Sequence, residues 1–96
     1  MEHTYYVYII TNKDNRVLYT GVTNNLTKRL YEHRNGLTPG FASKYQCHKL
    51  VWFETTTSIN EAISYEKKIK AGSRADKISL IEERNPNWMD LSEGWA

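Results

Sequence analysis

The sequence predicts an α+β domain with a small, mainly antiparallel sheet of three strands flanked by helices, in the order β-β-α-β-α-α. Short segments rich in aromatic and β-branched residues, typical of strands, occur near the start and in the middle of the chain. Longer segments open on helix-capping residues and end at Gly or before Pro, as helices do. With 96 residues the chain can bury one modest core, which favours a single domain.

The first two strands are predicted to form a β-hairpin. Tyr5–Ile10 has the aromatic and β-branched composition of a strand. Thr11–Asn15 is rich in Asn, Lys and Asp and predicts a turn. The returning strand is expected at Arg16–Thr20, with Gly21 ending it.

The tyrosines of this hairpin can be assigned to faces. If the hairpin closes about Lys13–Asp14, Tyr8 lies directly across from Tyr19, because equal steps from the turn reach both. Cross-strand aromatic pairs stabilise a sheet, so packing alone is one explanation for them. Side chains alternate between the faces of a strand, so Tyr6 should share the face of Tyr8 and lie at the margin of that face. Tyr5 should pack on the opposite face.

The first helix is expected to begin after Asn24 or Asn25, since either can cap it. It should continue to about Arg34 and stop at Gly36. Residues 37–48, which contain Pro and Gly, are predicted to form a loop.

One strand and two helices follow. Lys49–Thr55 is the predicted third strand. Ser58–Glu61 is a capping-box pattern that opens the second helix, and Gly72 closes it. Ser73–Asp76 opens the third helix, which the Asn85–Pro86 step ends.

The composition indicates a soluble globular protein, with 40% hydrophobic and 25% charged residues. We expect no membrane span, since no apolar run reaches about 20 residues, and no signal peptide. The lone Cys47 cannot form an internal disulfide, which favours an intracellular, cytoplasmic protein. The adjacent His48 allows a nucleophilic thiol, but a half-buried structural thiol is favoured.

Positive charge is concentrated in two segments, residues 24–50 and 66–77, each with five Lys or Arg. The first contains one acidic residue and the second contains two. Basic segments with tyrosines nearby suit a polyanion such as DNA, whereas solvated helix faces would produce the same pattern.

The first helix carries polar residues on its inward face. Leu26, Arg29, Leu30 and His33 are spaced to share one side. Because the leucines must point inward, Arg29 and His33 should lean toward the protein as well. A half-buried arginine requires an anionic partner.

The second helix places a carboxylate in its apolar arc. At 100° per residue, Glu66 falls in the middle of the face formed by Ile59, Ala62, Ile63 and Ile69. One interpretation is an ion pair between Arg29 and Glu66 that joins two helices. The other is a cleft in which both residues meet His33, Tyr8 and Tyr19.

Such a cleft would suit phosphodiester chemistry. A carboxylate can hold a hard divalent cation, which polarises the phosphate. Arginine neutralises phosphate charge through two parallel hydrogen bonds. A phenol whose pKa is lowered by a nearby cation can accept a proton from water.

These residues resemble the GIY-YIG nuclease domain family. Tyr6-Val7-Tyr8 stands for the first half-motif and Tyr19-Thr20-Gly21 for the second. The resemblance continues through the arginine, histidine, glutamate and asparagine that the family expects, here Arg29, His33, Glu66 and Asn85, with Asn87 behind it. It is strongest to small stand-alone bacterial members of the YhbQ type, which share the ending seen at Asn85–Leu91.

The resemblance implies a metal-dependent endonuclease that hydrolyses DNA, structure-selective and linked to DNA repair or processing. It implies one Mg²⁺ or Mn²⁺ on Glu66, no small-molecule cofactor, Tyr19 as base or water-orienting group, and Tyr8 positioning it or contacting phosphate. Val22 stands where some relatives have a lysine, so lysine-assisted proton transfer is unavailable.

The expected DNA contacts come from Lys28, Arg34, Lys44 and Lys49. Residues 4–80 are expected to form the nuclease domain. Residues 81–96, with Trp88 and Trp95, should pack as a tail on that domain, in a monomer or weak dimer. Two alternatives are a non-catalytic nucleic-acid-binding module that uses the same basic cleft, and a structural partner protein that uses the two tail tryptophans.

Overall fold

The computed structural model describes residues 3–37 and 40–95, and its centre is one antiparallel sheet in the order β2-β1-β3. The strands are β1 Tyr5–Thr11, β2 Leu18–Thr23 and β3 Lys49–Thr56. The helices are α1 Leu26–Arg34, α2 Phe41–Lys44, α3 Ile59–Ala71 and α4 Arg74–Arg84. The predicted fold class and the order of its main elements are confirmed. The short α2 lies in the predicted loop, of which Thr38 and Pro39 are outside the described residues.

The hairpin register differs from the prediction. Tyr8 pairs with Gly21, and Ile10 pairs with Tyr19, so Tyr8 and Tyr19 are diagonal rather than opposite. Strand β2 begins two residues later than expected and continues through Gly21. The prediction that Gly21 ends the strand is therefore wrong.

The connection between the two strands explains this shift. The Asn12 side chain accepts hydrogen bonds from the backbone N–H groups of Arg16 and Val17, at 2.9 and 3.3 Å. These bonds keep Arg16 and Val17 in the loop. Asn15 adopts φ 58°, a left-handed conformation that Asn tolerates well. The hairpin is consequently centred on Asp14–Asn15 rather than Lys13–Asp14.

The sheet is covered on both faces. Val7 and Ile9 of β1 pack with buried residues of α3 and α4, and Tyr5 packs at the edge of this cluster, as predicted. On the other face, Tyr8 and Ile10 pack with the leucines of α1, and Tyr6 is half-buried at the margin.

Helix caps fix where α1, α3 and α4 begin. Asn25, not Asn24, caps α1 by accepting a hydrogen bond from the backbone N–H of Lys28. Ser58 caps α3, and Ser73 forms a reciprocal capping box with Asp76 at the start of α4.

Helix α3 rests on the sheet through a narrower face than predicted. Ala62 and Ile69 are buried, but Ile59 and Ile63 are 41% and 40% exposed. The expectation that all four face inward is therefore wrong. Glu66 still lies on the sheet side, because it follows Ala62 by four residues and precedes Ile69 by three.

The residues after α4 lie against β3 and α1. Asp90 accepts a hydrogen bond from the backbone N–H of Leu50, and the Trp95 ring centroid lies 6.0 Å from that of Phe53. The Arg34 guanidinium donates hydrogen bonds to the side chains of Asp90 and Ser92. Across the described ranges, no helix has the length and apolar character needed to cross a bilayer.

Candidate active site

Three aromatic side chains on the α1 side of the sheet contact one another. The Tyr8 hydroxyl lies 3.1 Å from Nε2 of His33, within hydrogen-bonding distance. The Tyr19 ring centroid lies 6.4 Å from that of Tyr8 and 5.6 Å from that of His33. The sequence prediction that these three residues converge describes the observed geometry, although the register that brings them together differs.

Gly21 provides the space that Tyr8 occupies. A Cβ at Gly21 would lie 2.5 Å from the Tyr8 hydroxyl oxygen and 2.6 Å from Cζ. The hydroxyl end of the Tyr8 ring therefore lies directly over Gly21. Sequence analysis missed this role, although a Gly inside a strand is itself a signal of close approach by another group.

Arg29 lies beside this aromatic group at the surface. Its side chain is 36% exposed and pairs with Glu32, one turn along α1, at 3.2 Å. It is close enough to Tyr8 for its positive charge to influence that phenol. The ion pair observed for Glu66 is with Lys70, at 3.3 Å, so the alternative of an Arg29–Glu66 pair is wrong.

Glu66 approaches from α3, on the other side of the sheet. Its side chain is 20% exposed, and its charge acts on Tyr8. The ammonium of Lys70 lies 5.8 Å from the Tyr19 ring centroid. Because β2 is an edge strand, Glu66 and Lys70 can reach both tyrosines around that edge.

The protonation states of the inner residues follow from burial. Burial raises the pKa of Tyr8, the neighbouring Tyr19 raises it further, and Arg29 offsets only part of the rise. Burial, followed by the charge of Arg29, lowers the pKa of His33. At neutral pH, Tyr8 is thus a neutral phenol and His33 a neutral imidazole.

The donor set is compatible with one hard divalent cation. Within the described ranges, no three His, Cys, Asp or Glu side chains are grouped to hold a metal. Mg²⁺ commonly binds through one or two carboxylates and keeps several waters alongside substrate phosphates. A single carboxylate, Glu66, whose partner Lys70 lies over the Tyr19 ring, fits that pattern.

Two of the predicted site residues are bonded elsewhere. Asn85 ends α4, and its amide group bonds to the carbonyls of Val51 and Met89 and to the Met89 N–H. No bond among the described residues brings it to the aromatic cluster. Of the four expected DNA contacts, Arg34 is hydrogen-bonded to Asp90 of the tail. Lys28 and Lys44 are exposed, and Lys49 is half-buried.

Cys47 does not contribute chemistry to this region. Its thiol is fully buried, and burial raises its pKa to about 11. The thiolate is the nucleophilic form of cysteine, so a structural role for Cys47 follows.

Comparisons with known proteins identify the family and the fold. Residues 4–79 match the family model described as the GIY-YIG catalytic domain. The chain is 42% identical over 80 residues to a UPF0213 protein of Clostridium perfringens, covering 83% of this chain and 85% of that one. It is 40% identical to a UPF0213 protein of Staphylococcus haemolyticus, covering 83% and 96%. The solution structure of a UPF0213 protein from Bacillus halodurans has a TM-score of 0.59 and 27% identity, covering 97% of this chain and 98% of that one.

Proposed function

Because the chain belongs to the GIY-YIG catalytic domain family, we propose that it is a metal-dependent endonuclease that hydrolyses DNA phosphodiester bonds during DNA repair or processing. The family supports a nuclease-type function in general. The observation that carries the finer proposal is the cluster of Tyr8, Tyr19 and His33 at one strand edge, to which the carboxylate of Glu66 is linked through Lys70.

Arg29 is the proposed phosphate-binding residue. Its guanidinium is partly exposed, and its carboxylate partner Glu32 is also at the surface. Replacing this surface ion pair by a contact with phosphate costs little, since such a pair contributes only about 0–1 kcal/mol to the stability of the fold. The planar guanidinium can then bind two phosphate oxygens at once.

Tyr19 is the proposed water-orienting residue. It is less buried than Tyr8, and it lies beside the Lys70 ammonium. Tyr8 remains a neutral phenol and is fully buried, so its role is to position Tyr19 and His33 rather than to contact the phosphate. His33 holds the Tyr8 hydroxyl from inside the core.

Glu66 would hold the cation, with water and phosphate oxygens completing its coordination. A bound Mg²⁺ or Mn²⁺ would stabilise negative charge on the phosphate and on the leaving oxygen. To bind the cation, Glu66 must give up its ion pair with Lys70, which is feasible because the Lys70 side chain is 51% exposed and can turn into solvent.

The test pairs two conservative variants. Glu66→Gln keeps the shape and removes the charge, so it should stay folded and bind DNA in EDTA at least as well as wild type. Its nicking of plasmid and branched DNA should fall by orders of magnitude with either Mg²⁺ or Mn²⁺. Tyr19→Phe should lose nicking as well, while metal binding stays intact.

Lys67→Gln, an exposed neighbour on α3, is the matched control and should nick at the wild-type rate. Wild-type nicking by Glu66→Gln would show that the metal site is misplaced. If the wild-type protein nicks no DNA with either metal, the non-catalytic binding module becomes the better description.

A further inference from the structure

A second concave surface lies next to the candidate active site. It is a groove of about 410 Å³. It is lined by Arg16, Val17, Leu18, Tyr45, Arg74 and Lys77. Three of these described residues are cationic and none is acidic, so the groove attracts anions.

Hydrogen bonds hold two of the cations in place without neutralising them. The Arg74 guanidinium donates to the carbonyl of Asn15 at 3.1 Å, and the Lys77 ammonium donates to the carbonyl of Gly72 at 2.6 Å. Both acceptors are uncharged. The positive charge is therefore fixed in position and available to a ligand, which lowers the entropy lost on binding.

Tyr45 provides an aromatic wall for the groove. Its side chain is 41% exposed, and the Lys44 ammonium lies 5.4 Å from its ring centroid. Tyr45 also borders a neighbouring cavity, to which Lys13 and Lys49 contribute cations and Asp14 and Asp90 contribute carboxylates. An exposed ring among cations is the usual arrangement for binding single-stranded nucleic acid, where a base stacks on the ring and cations bind phosphates.

The groove and the candidate active site lie along the same edge strand. Leu18 lines the groove and faces α3 and α4, whereas Tyr19, the next residue of β2, faces α1, so the two regions meet at the edge of the sheet. Lys70 connects the two regions, because its ammonium lies over the Tyr19 ring and its carbonyl is 3.4 Å from the Lys77 ammonium. A DNA strand that follows this edge passes from one region to the other.

Building on the proposed cleavage of DNA, we propose that this Tyr45 groove binds the unpaired strand next to the scissile bond. Arg16, Arg74 and Lys77 bind its phosphates, and one base stacks on Tyr45. A base within a duplex is already stacked and paired and is not available to the ring. The preferred substrates are therefore DNAs with a single-stranded segment beside the cleavage point.

Binding can be measured without catalysis. In EDTA, fluorescein-labelled ten-residue oligo(dT) is titrated with protein and followed by anisotropy. Tyr45→Ala should weaken binding about 5- to 150-fold, the range for loss of one base–aromatic stack. Arg16→Glu should weaken it as well, and Tyr45→Trp should preserve it. A blunt-ended linear duplex, which has no unpaired bases, should bind Tyr45→Ala and wild type equally.

Tyr31→Ala is the matched control, because Tyr31 is 60% exposed but outside the groove. In an amide NMR titration of the wild-type protein with the same oligonucleotide, the groove residues should shift. Unchanged affinity in Tyr45→Ala, or shifts confined to α1, would overturn the proposal. A failure of the wild-type protein to nick DNA would contradict the cleavage proposal alone, since the binding comparison is made without metal.

Discussion

Replacing Gly21 with alanine would place a methyl group inside the space that Tyr8 occupies. The new Cβ would lie 2.5 Å from the Tyr8 hydroxyl oxygen, whereas ordinary contacts begin near 3.4 Å. The Tyr8 ring would have to move by about 1 Å, and overpacking of this kind costs about 1–3 kcal/mol. The cost is steric, because Gly21 sits within a β-strand whose backbone alanine adopts readily.

The displaced ring would also strain the hydrogen bond between Tyr8 and His33, both of which are buried. An impaired buried hydrogen bond adds about 1–3 kcal/mol. The total of at least about 2 kcal/mol corresponds to a loss of about 8 °C or more in melting temperature. Nicking should fall about 100-fold, as expected for a displacement of about 1 Å in an active site.

A double-mutant cycle read by thermal melting tests this argument. In a Tyr8→Leu background, Gly21→Ala should cost far less than in wild type, because the ring is gone. Gly72→Ala is the control: its φ of −74° suits alanine, and its nearest contact is the Asp76 carboxylate at 3.3 Å. It should change stability by less than about 1 kcal/mol. An equal cost of Gly21→Ala in both backgrounds would refute the steric explanation.

Three further predictions concern α1. Arg29→Ala should cost less than about 1 kcal/mol in thermal stability, because its ion pair is exposed, yet plasmid nicking should fall strongly; a large loss of stability with unchanged nicking would contradict the phosphate-binding role. Burial lowers the pKa of His33 in the folded state, so the unfolded state binds protons more readily and stability should decline as pH falls below about 6.5. The melting temperature of His33→Gln should decline less between pH 7.5 and 5.5, and an equal decline would show that His33 is not responsible. Arg34→Ala should cost about 1–3 kcal/mol and make tryptophan fluorescence easier to quench with acrylamide, because the tail loses its hydrogen bonds to α1; quenching like that of wild type would contradict this role for Arg34.

The parts of the fold that depend on local chemistry were predictable from the sequence. Asn25, Ser58 and Ser73 each cap a helix, because a capping side chain bonds to a backbone group only two or three residues away. The convergence of Tyr19 and His33 was also accessible, since strand alternation and helical spacing each limit a side chain to one face.

The remaining features depend on contacts between distant segments. The hairpin register rests on how the Asn12 side chain folds its loop, which composition alone does not specify. The exposure of Ile63 depends on the angle at which α3 meets the sheet. Helical spacing predicted an anionic partner for Arg29, and the basic segment predicted DNA contact for Arg34, but it is Arg34 that meets carboxylate and hydroxyl partners from 56 and 58 residues away.

The contact between Arg34 and the tail limits how far the chain can be shortened from its C-terminal side. The family match ends at residue 79, so a fragment cut at that residue would be an obvious choice for expression. Such a fragment would lose the buried Ile81 and the side chains of Asp90 and Ser92 that hold α1. Since α1 also carries His33, we expect the fragment to have a less ordered candidate active site. Fragment libraries and split-protein reporters should therefore retain the chain through residue 95.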